Sequence, residues 1–211
     1  WLGWFNNWET CLVPTSPWRS CMSVPRTLTL RKQPSGDNAT YTLIQRPVQE
    51  FRKLSNGVIP LNTTAAAWPP VAVSKPAELT DMNFILETTL QPGSARSCGI
   101  RIRTGEDEYT EVGYREPGVV YVDRRKSGNV DFHPAFAGRH DAPVQLIDGA
   151  AKLSIIVDRS TIEVFINDGE AVISDRIFPT SQTAVIEAFA GDISATLRNT
   201  TLQQLKAIWK N

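Results

Sequence analysis

The sequence predicts an all-β protein whose main part is a β-sandwich of two antiparallel sheets. Its dominant hydrophobic period is two, most clearly in the β-branched runs 151–157 and 161–166. Turn-forming residues recur at intervals of about ten residues, and no segment of comparable length has the periodicity of an amphipathic helix. Many short alternating strands separated by turns are typical of two sheets packed across an apolar core.

The clearest element is a hairpin formed by 151–157 and 161–166 around Asp158-Arg-Ser160. The next turn is Asn167-Asp-Gly-Glu170, because Asp-Gly supplies the positive φ that a tight connection needs. Phe165 is expected in the packed core of the sandwich. Further strands are predicted at 40–45, 83–90, 99–104, 109–114, 119–123, 171–177, 184–190 and 194–205.

The N-terminal part differs in composition from the rest. Residues 1–31 are aromatic and interrupted by prolines, whereas 47–70 contains Asn56-Gly57 and Pro69-Pro70, which favour a connection laid over the surface. We therefore divide the chain into an N-terminal part, a linker and a sandwich domain, at 1–48, 49–70 and 71–211. The three or four strands of the first part are marginal for independent stability, although the sandwich could support them. We expect this part to belong to a larger unit.

Charge and composition exclude several kinds of partner. The 211 residues contain 22 basic and 22 acidic side chains, well mixed, so there is no positive patch to attract nucleic acid or an acidic membrane. No stretch approaches the roughly 20 apolar residues that span a bilayer. Neither nucleic acid nor a membrane is predicted as a partner.

Cysteine and histidine usage gives no metal or cofactor site. Cys11, Cys21 and Cys98 are odd in number and lack the C-x-x-C spacing of zinc sites, so one disulfide or none are both open. His133 and His140 match no zinc motif, and we expect them to have a loop role. No cofactor and no metal are therefore predicted.

Three sequons suggest passage through a secretory pathway. Asn38, Asn62 and Asn199 each begin an N-x-[ST] triplet beside polar or turn-forming residues. Chance alone gives about one such triplet in a chain of this length. We therefore expect a secreted, extracellular glycoprotein.

Three N-terminal segments resemble the last blade of the five-bladed catalytic propeller of glycoside hydrolase family 32, the invertases, inulinases and levanases. They are Trp4-Phe-Asn-Asn-Trp8, Pro14-Thr-Ser-Pro-Trp-Arg-Ser20 and Met22-Ser-Val-Pro-Arg26-Thr-Leu-Thr-Leu30. The first is most similar to fungal inulinases. Leu43-Ile-Gln-Arg-Pro-Val-Gln-Glu50 resembles the exit from that propeller, and residues 153–170 with Arg176-Ile-Phe-Pro179 resemble strands of the family's C-terminal β-sandwich.

The resemblance implies a β-sandwich preceded by strands of an incomplete five-bladed β-propeller. Family members hydrolyse fructosyl bonds with retention, using two carboxyl groups. The family's Asn-Asp-Pro, Arg-Asp-Pro and Glu-Cys motifs do not occur in this sequence, and Asn167-Asp168 is followed by glycine within the sandwich half. No catalytic residue is therefore assigned to this chain, and the chain alone is predicted to be inactive.

The same resemblance assigns substrate binding to Asn6, Asn7 and Trp8, which lie at or near the family's fructose subsite. Sugars present C–H faces to aromatic rings and hydroxyls to amides, which suits these residue types. Trp1, Trp4 and Trp18 are instead predicted to be core residues.

Other polar residues receive a structural interpretation. Asp158 and Glu163 flank a hairpin and are predicted to be structural rather than a catalytic pair. Arg124-Arg-Lys126 is predicted to be a solvated turn. No G-x-S-x-G motif supports a serine hydrolase.

Three functions remain open from the sequence. The first is the C-terminal portion of a secreted fructan hydrolase, which braces and completes the propeller and whose partners are a fructan or sucrose-like carbohydrate and the N-terminal propeller portion. The second is a stand-alone, lectin-like carbohydrate-binding sandwich. The third is a structural domain that self-associates through its N-terminal aromatic segment.

Overall fold

The computed structural model describes residues 1–33, 40–61, 78–191 and 194–208. In these residues fourteen strands form one hairpin and two six-stranded sheets, all paired antiparallel, which confirms the predicted all-β class. The strands are β1 (Arg26–Gln33), β2 (Thr40–Pro47), β3 (Ile59–Pro60), β4 (Glu78–Leu79), β5 (Asn83–Gln91), β6 (Ser97–Arg103), β7 (Tyr109–Arg115), β8 (Val119–Lys126), β9 (Arg139–Pro143), β10 (Ala151–Asp158), β11 (Thr161–Ile166), β12 (Ala171–Arg176), β13 (Ala184–Ala190) and β14 (Thr196–Gln204).

The two large sheets form the sandwich. The first has the strand order β12-β11-β10-β5-β14-β3 and the second β4-β13-β6-β7-β8-β9. Register places Ile155 between Leu86 of β5 and Val164 of β11, so apolar side chains line up across neighbouring strands. The largest buried apolar cluster, which includes Ile100 and Val112 of the second sheet, fills the space between the sheets.

The outer face of the first sheet is also apolar and is covered. Ile85, Ile156 and Phe165 form a second cluster there, joined by Val24 of the N-terminal segment and by Phe51. Phe51 belongs to a 3-10 helix over Gln49–Leu54. Phe165 is therefore buried as expected, but in this outer cluster and not between the two sheets.

The described part of the predicted linker is structured. Besides the 3-10 helix, it contains β3, which pairs with Thr201 and Leu202 at the edge of the first sheet. The remaining linker residues, 62–70, lie outside the described residues.

The outer face of the second sheet carries charged and aromatic side chains. Arg101 lies between the rings of Tyr109 and Phe189, at 5.0 and 4.8 Å from their centroids, and Nε donates to Glu111 at 2.8 Å. Arg103 of the same strand pairs with Glu187. This face therefore satisfies its own charges across neighbouring strands.

The β1–β2 hairpin is a separate two-stranded sheet beside the sandwich. It approaches the turn after β11, where Asn167, Asp168 and Gly169 have positive φ, as the Asp-Gly sequence predicts. A Cβ on Gly169 would lie 1.9 Å from the carbonyl oxygen of Gln45, so the contact requires glycine. This close approach joins β2 to the sandwich.

Two further findings concern the cysteines and membranes. Cys11, Cys21 and Cys98 are all free thiols, and burial raises the pKa of Cys98 to about 12, so this thiol stays protonated. In the parts of the chain that the structure describes, no helix has the length and apolar character needed to cross a membrane.

Phe165→Ala should lower the free energy of unfolding by about 3–5 kcal/mol, because it removes a ring that is only 3% exposed and leaves a cavity in the outer cluster. Denaturant unfolding of the chain measures this change. Tyr41→Ala is the control, since Tyr41 is 60% exposed and its truncation should change the unfolding free energy by less than about 1 kcal/mol. Equal effects of the two substitutions would contradict the assignment of Phe165 to a packed cluster.

Candidate functional site

The N-terminal segment forms a short antiparallel ladder that carries the predicted sugar-binding residues. Trp1 and Arg26 exchange two backbone hydrogen bonds at 2.8 and 2.9 Å. The Ser23 amide donates to the Gly3 carbonyl at 2.8 Å, and the Phe5 amide donates to the Cys21 carbonyl at 2.9 Å. Residues 1–5 are thus paired with residues 21–26, and this ladder leads directly into Asn6, Asn7 and Trp8.

The loop after the ladder presents an aromatic ring to solvent. Trp8 is 86% exposed, and its ring meets Trp4 edge-on, with centroids 5.8 Å apart. Asn7 Oδ1 accepts hydrogen bonds from the Thr10 amide at 2.7 Å and from the Thr10 hydroxyl at 3.0 Å, which closes the loop. Asn6 is half-buried. The structure therefore places the three predicted residues on one loop.

The prediction that Trp1, Trp4 and Trp18 are core residues is wrong for this chain, because all three rings are exposed. That prediction assumed a closed propeller blade around these rings. The side chains of the segment that are buried in the described structure include Phe5 and Val13 instead.

A buried ion pair fixes the ladder to the sandwich. Glu163 of β11 is 2% exposed and pairs with Arg26, which is 5% exposed. Glu163 Oε1 also accepts the Val24 amide at 2.6 Å. Arg26 donates further to Ser174 Oγ at 2.6 Å and to Gln45 Oε1 at 2.9 Å. Glu163 is therefore structural, as predicted, and belongs to no carboxylate pair.

A second contact fixes the other strand of the ladder. Arg176 of β12 donates from Nη1 to the Phe5 carbonyl at 3.3 Å, and its Nε donates to the Ser160 carbonyl at 3.2 Å. Its guanidinium also lies 5.0 Å from the ring centroid of Phe178. Phe178 in turn belongs to the buried cluster that contains Val13, on the far side of the Trp8 loop.

A charged network connects the two sheets at one edge of the sandwich. His140 Nδ1 lies 2.8 and 2.9 Å from the two carboxylate oxygens of Asp175, which is 3% exposed. Arg124 lies 3.1 Å from the same carboxylate, and its Nε donates to the Phe136 carbonyl. The hydrogen bond to Asp175 raises the pKa of His140, and burial works in the opposite direction.

Two predictions are corrected by this network. His140 lies on strand β9 and not in a loop, whereas His133 does lie in a loop. Arg124 is not part of a solvated turn, because it lies on β8 and stacks 4.0 Å above the Phe136 ring. Polar strands at a sheet edge lack the hydrophobic alternation by which strands are recognised in a sequence.

No group of three or more His, Cys, Asp or Glu side chains that could hold a metal is present in the described residues. The buried carboxylates Glu163 and Asp175 are both held in ion pairs. The Trp8 loop, Asn6 to Trp8, holds no pair of carboxyl groups of the kind that cleaves a glycosidic bond.

One predicted glycosylation site can be described. Asn199 is exposed, with φ 52°, at a β-bulge between Arg198 and Thr201 of β14. It lies beside a groove of about 280 Å³ that is also lined by Arg52 and Glu87, which form an ion pair at 2.7 Å. The predicted sites at Asn38 and Asn62 lie outside the described residues.

The chain is similar to known proteins along nearly its whole length. A family model described as glycosyl hydrolases family 32 C terminal matches residues 41–206. The chain belongs to glycosyl hydrolase family 32. A levanase of Bacillus subtilis is 37% identical to this family 32 chain over 221 residues, which cover 99% of the chain and 31% of the levanase. An extracellular exo-inulinase of Aspergillus niger is 33% identical over 186 residues, covering 85% of the chain and 34% of the inulinase.

Solved structures agree with the family assignment. The crystal structure of an exo-inulinase from Aspergillus awamori matches with a TM-score of 0.81 at 28% identity, covering 99% of this chain and 40% of that one. A β-fructofuranosidase from Schwanniomyces occidentalis shares the fold, with a TM-score of 0.74 at 21% identity. The match covers 98% of this chain and 44% of that one. The predicted family and fold class are confirmed. This family 32 chain spans about a third of the length of the two curated relatives, one of which is bacterial and one fungal.

Sequence reasoning missed the residues that hold the Trp8 loop in place. Arg26 and Arg176 lie within the segments that carry the family resemblance, but their local sequence assigns neither a role. A signal was available in β11, whose apolar residues occupy both faces, with Ile162 and Val164 on one and Phe165 on the other. A strand of that kind needs cover on both faces, and a glutamate within it needs a buried partner.

The His140–Asp175 pair should make stability depend on pH. The folded pKa of His140 is raised above its ordinary value of 6.5, so the pair contributes its full stabilisation below that value and loses it as pH rises through the folded pKa. Unfolding free energies measured between pH 5 and 9 (roughly the range over which histidine titrates) should fall with rising pH in this step.

His140→Gln should remove that step, whereas His133→Gln should retain it, because the His133 ring interacts with the neighbouring Ala135 amide and not with Asp175. A step that persists in His140→Gln would show that another group is responsible.

Proposed function

We propose that this chain is the C-terminal portion of a secreted fructan hydrolase that acts on β-fructofuranosidic bonds. In this proposal residues 1–48 complete the catalytic propeller, 49–70 connect it to the sandwich, and 71–211 brace it. The relatives named as levanase and exo-inulinase support the substrate class. The observation that carries the proposal is the distribution of exposed apolar side chains.

Exposed apolar surface is concentrated in the N-terminal part. Of the fifteen large hydrophobic side chains that are exposed in the described residues, eleven lie before residue 44. They are Trp1, Leu2, Trp4, Trp8, Leu12, Trp18, Met22, Leu28, Leu30, Tyr41 and Leu43. Exposed apolar side chains in this number mark an interface. Further propeller strands would cover them, except for Trp8, whose ring stays open to the sugar.

The hairpin supports the same arrangement. Its register pairs Leu30 with Leu43, which places these two exposed side chains next to each other on one face. Apart from the two backbone bonds between Arg26 and Trp1, β1 and β2 pair only with each other within the described residues. Beyond Arg26, β1 therefore has an edge that can accept a further strand of a blade.

The chemistry must come from residues outside this sequence. A retaining glycosidase uses one carboxylate as nucleophile and one carboxylic acid to protonate the leaving oxygen. The Asn-Asp-Pro, Arg-Asp-Pro and Glu-Cys motifs that carry these groups in the family are absent from the 211 residues. The chain supplies part of the sugar site through Asn6, Asn7 and Trp8, and the rest of the propeller supplies the acids.

Secretion and glycosylation are part of the proposal. The relative from Aspergillus niger is named as extracellular. Asn199, with its exposed position at a bulge, is accessible for an N-linked glycan.

The proposal is tested by assaying fructose release from inulin, levan and sucrose. The chain alone should be inactive, and a polypeptide that adds the propeller residues with the three acidic motifs should be active. Two measurements on the chain alone distinguish the alternatives: tryptophan fluorescence detects sugar binding, and sedimentation detects dimers. Sugar-quenched tryptophan fluorescence without turnover in either form would favour a lectin-like module, and concentration-dependent dimers without sugar binding would favour a self-associating domain.

Trp8→Ala should raise KM for sucrose or inulin by roughly tenfold in the active polypeptide, because the mutation removes an exposed ring that would stack on a fructosyl face. Steady-state kinetics measure the change. Trp18→Ala is the matched control, since Trp18 is also exposed but lies outside the predicted sugar-binding residues. Unchanged KM and kcat in Trp8→Ala would remove Trp8 from the site.

A further inference from the structure

The sandwich holds the Trp8 loop from both of its ends. The strand that enters the loop ends at Phe5, which is 8% exposed and whose carbonyl accepts the hydrogen bond from Arg176. The chain that leaves the loop reaches Val13, which is 2% exposed and packs in a cluster with Phe178 and Phe136. Residues 6–12 therefore connect two residues, Phe5 and Val13, that both contact the sandwich.

The partner strand of the ladder is fixed independently. Glu163 accepts the Val24 amide and pairs with Arg26, and the amide and carbonyl of Arg26 bond to Trp1. Glu163 therefore restrains Val24 and Arg26 directly. Arg26 in turn restrains Trp1 of the first strand through two backbone hydrogen bonds. The register of the ladder relative to the sandwich is set by directed hydrogen bonds and not by apolar packing alone.

Directional hydrogen bonds matter here because apolar contact is non-directional. An apolar segment could pack on the outer cluster in several positions. Burying a charge is costly unless its partners are correctly placed, so a buried ion pair penalises every register in which Arg26 and Glu163 do not meet. Arg176 adds a similar constraint, because burial of its guanidinium requires acceptors such as the Phe5 and Ser160 carbonyls. Two buried charges of the sandwich thus select one position of the loop.

We propose that Glu163 and Arg176 are positioning residues for sugar binding, through which the sandwich sets the place of Trp8. This inference rests on the proposed function for its effect on substrate. Neither side chain touches the sugar. Each acts on the ladder, and the ladder carries Asn6, Asn7 and Trp8.

The effect of Glu163 on the ladder is tested first in the chain itself, by hydrogen exchange of the Phe5 and Ser23 amides. Glu163→Gln keeps the shape of the side chain and an acceptor for Val24, but loses the charge that balances Arg26. We expect exchange at both amides to be about tenfold faster. Glu170→Gln is the matched control, because Glu170 pairs with Arg31 of the hairpin at a more exposed position and should leave both amides unchanged.

Arg176→Lys tests the second contact without touching the Arg26 pair. A lysine cannot reach the Phe5 and Ser160 carbonyls with the same fork of donors, so we expect faster exchange at Phe5 in particular. Arg103→Lys is the control, since Arg103 pairs with Glu187 on the opposite sheet. Unchanged exchange in both Glu163→Gln and Arg176→Lys would overturn the inference, whatever the kinetics.

The effect on substrate is tested in the polypeptide that also contains the rest of the propeller. Glu163→Gln should raise KM for sucrose or inulin about tenfold while changing kcat less, because a displaced loop weakens binding more than chemistry. Combined with Trp8→Ala, it should add little to the effect of Trp8→Ala alone. The inference would be overturned if the KM increase of the double variant equalled the product of the two single increases. It would also be overturned if Glu170→Gln raised KM as much as Glu163→Gln.

The two proposals fail in different ways. If Trp8→Ala alone leaves KM unchanged, the sugar-binding role in the proposed function fails. If Trp8→Ala raises KM but Glu163→Gln and Arg176→Lys do not, the sugar-binding role stands and the positioning role is overturned.

Discussion

Arg26 and Glu163 form an ion pair that is almost completely removed from water, with side-chain exposures of 5% and 2%. Such a pair contributes little net stability compared with well-packed apolar residues, but breaking it leaves a buried charge at a cost of about 3–5 kcal/mol. Its main consequence is specificity of placement. The charge is balanced further by the Val24 amide and by Ser174. The N-terminal segment can therefore lie on the sandwich in one register.

The apolar outer face of the first sheet follows from the same constraint. A sandwich usually buries one face of each sheet and leaves the other to solvent, and the second sheet here does so, with ion pairs such as Arg103–Glu187 outside. The first sheet instead presents Ile85, Ile156 and Phe165 on its outer face. These residues are covered by the N-terminal segment and by the 3-10 helix.

The distribution of exposed surface describes a molecule with one fixed side and one open side. The ladder and hairpin are bound to the sandwich through buried charges and a close glycine contact at Gly169. Their opposite surfaces carry exposed tryptophans, leucines and an open strand edge. The role we propose for the sandwich follows from this asymmetry, because a body without the catalytic acids can still decide where a sugar-binding loop lies.

The sequence alone determined the fold class, the family and most strands of the sandwich, because alternation in runs such as 151–157 and 161–166 is a local property. It also located the Trp8 loop, through a motif of adjacent residues. Only the tertiary structure decided which polar residues matter. Arg26 and Glu163 are 137 positions apart, and His140 lies on a polar edge strand without alternation. Contacts between such distant residues depend on how the sheets pack, which no local pattern records.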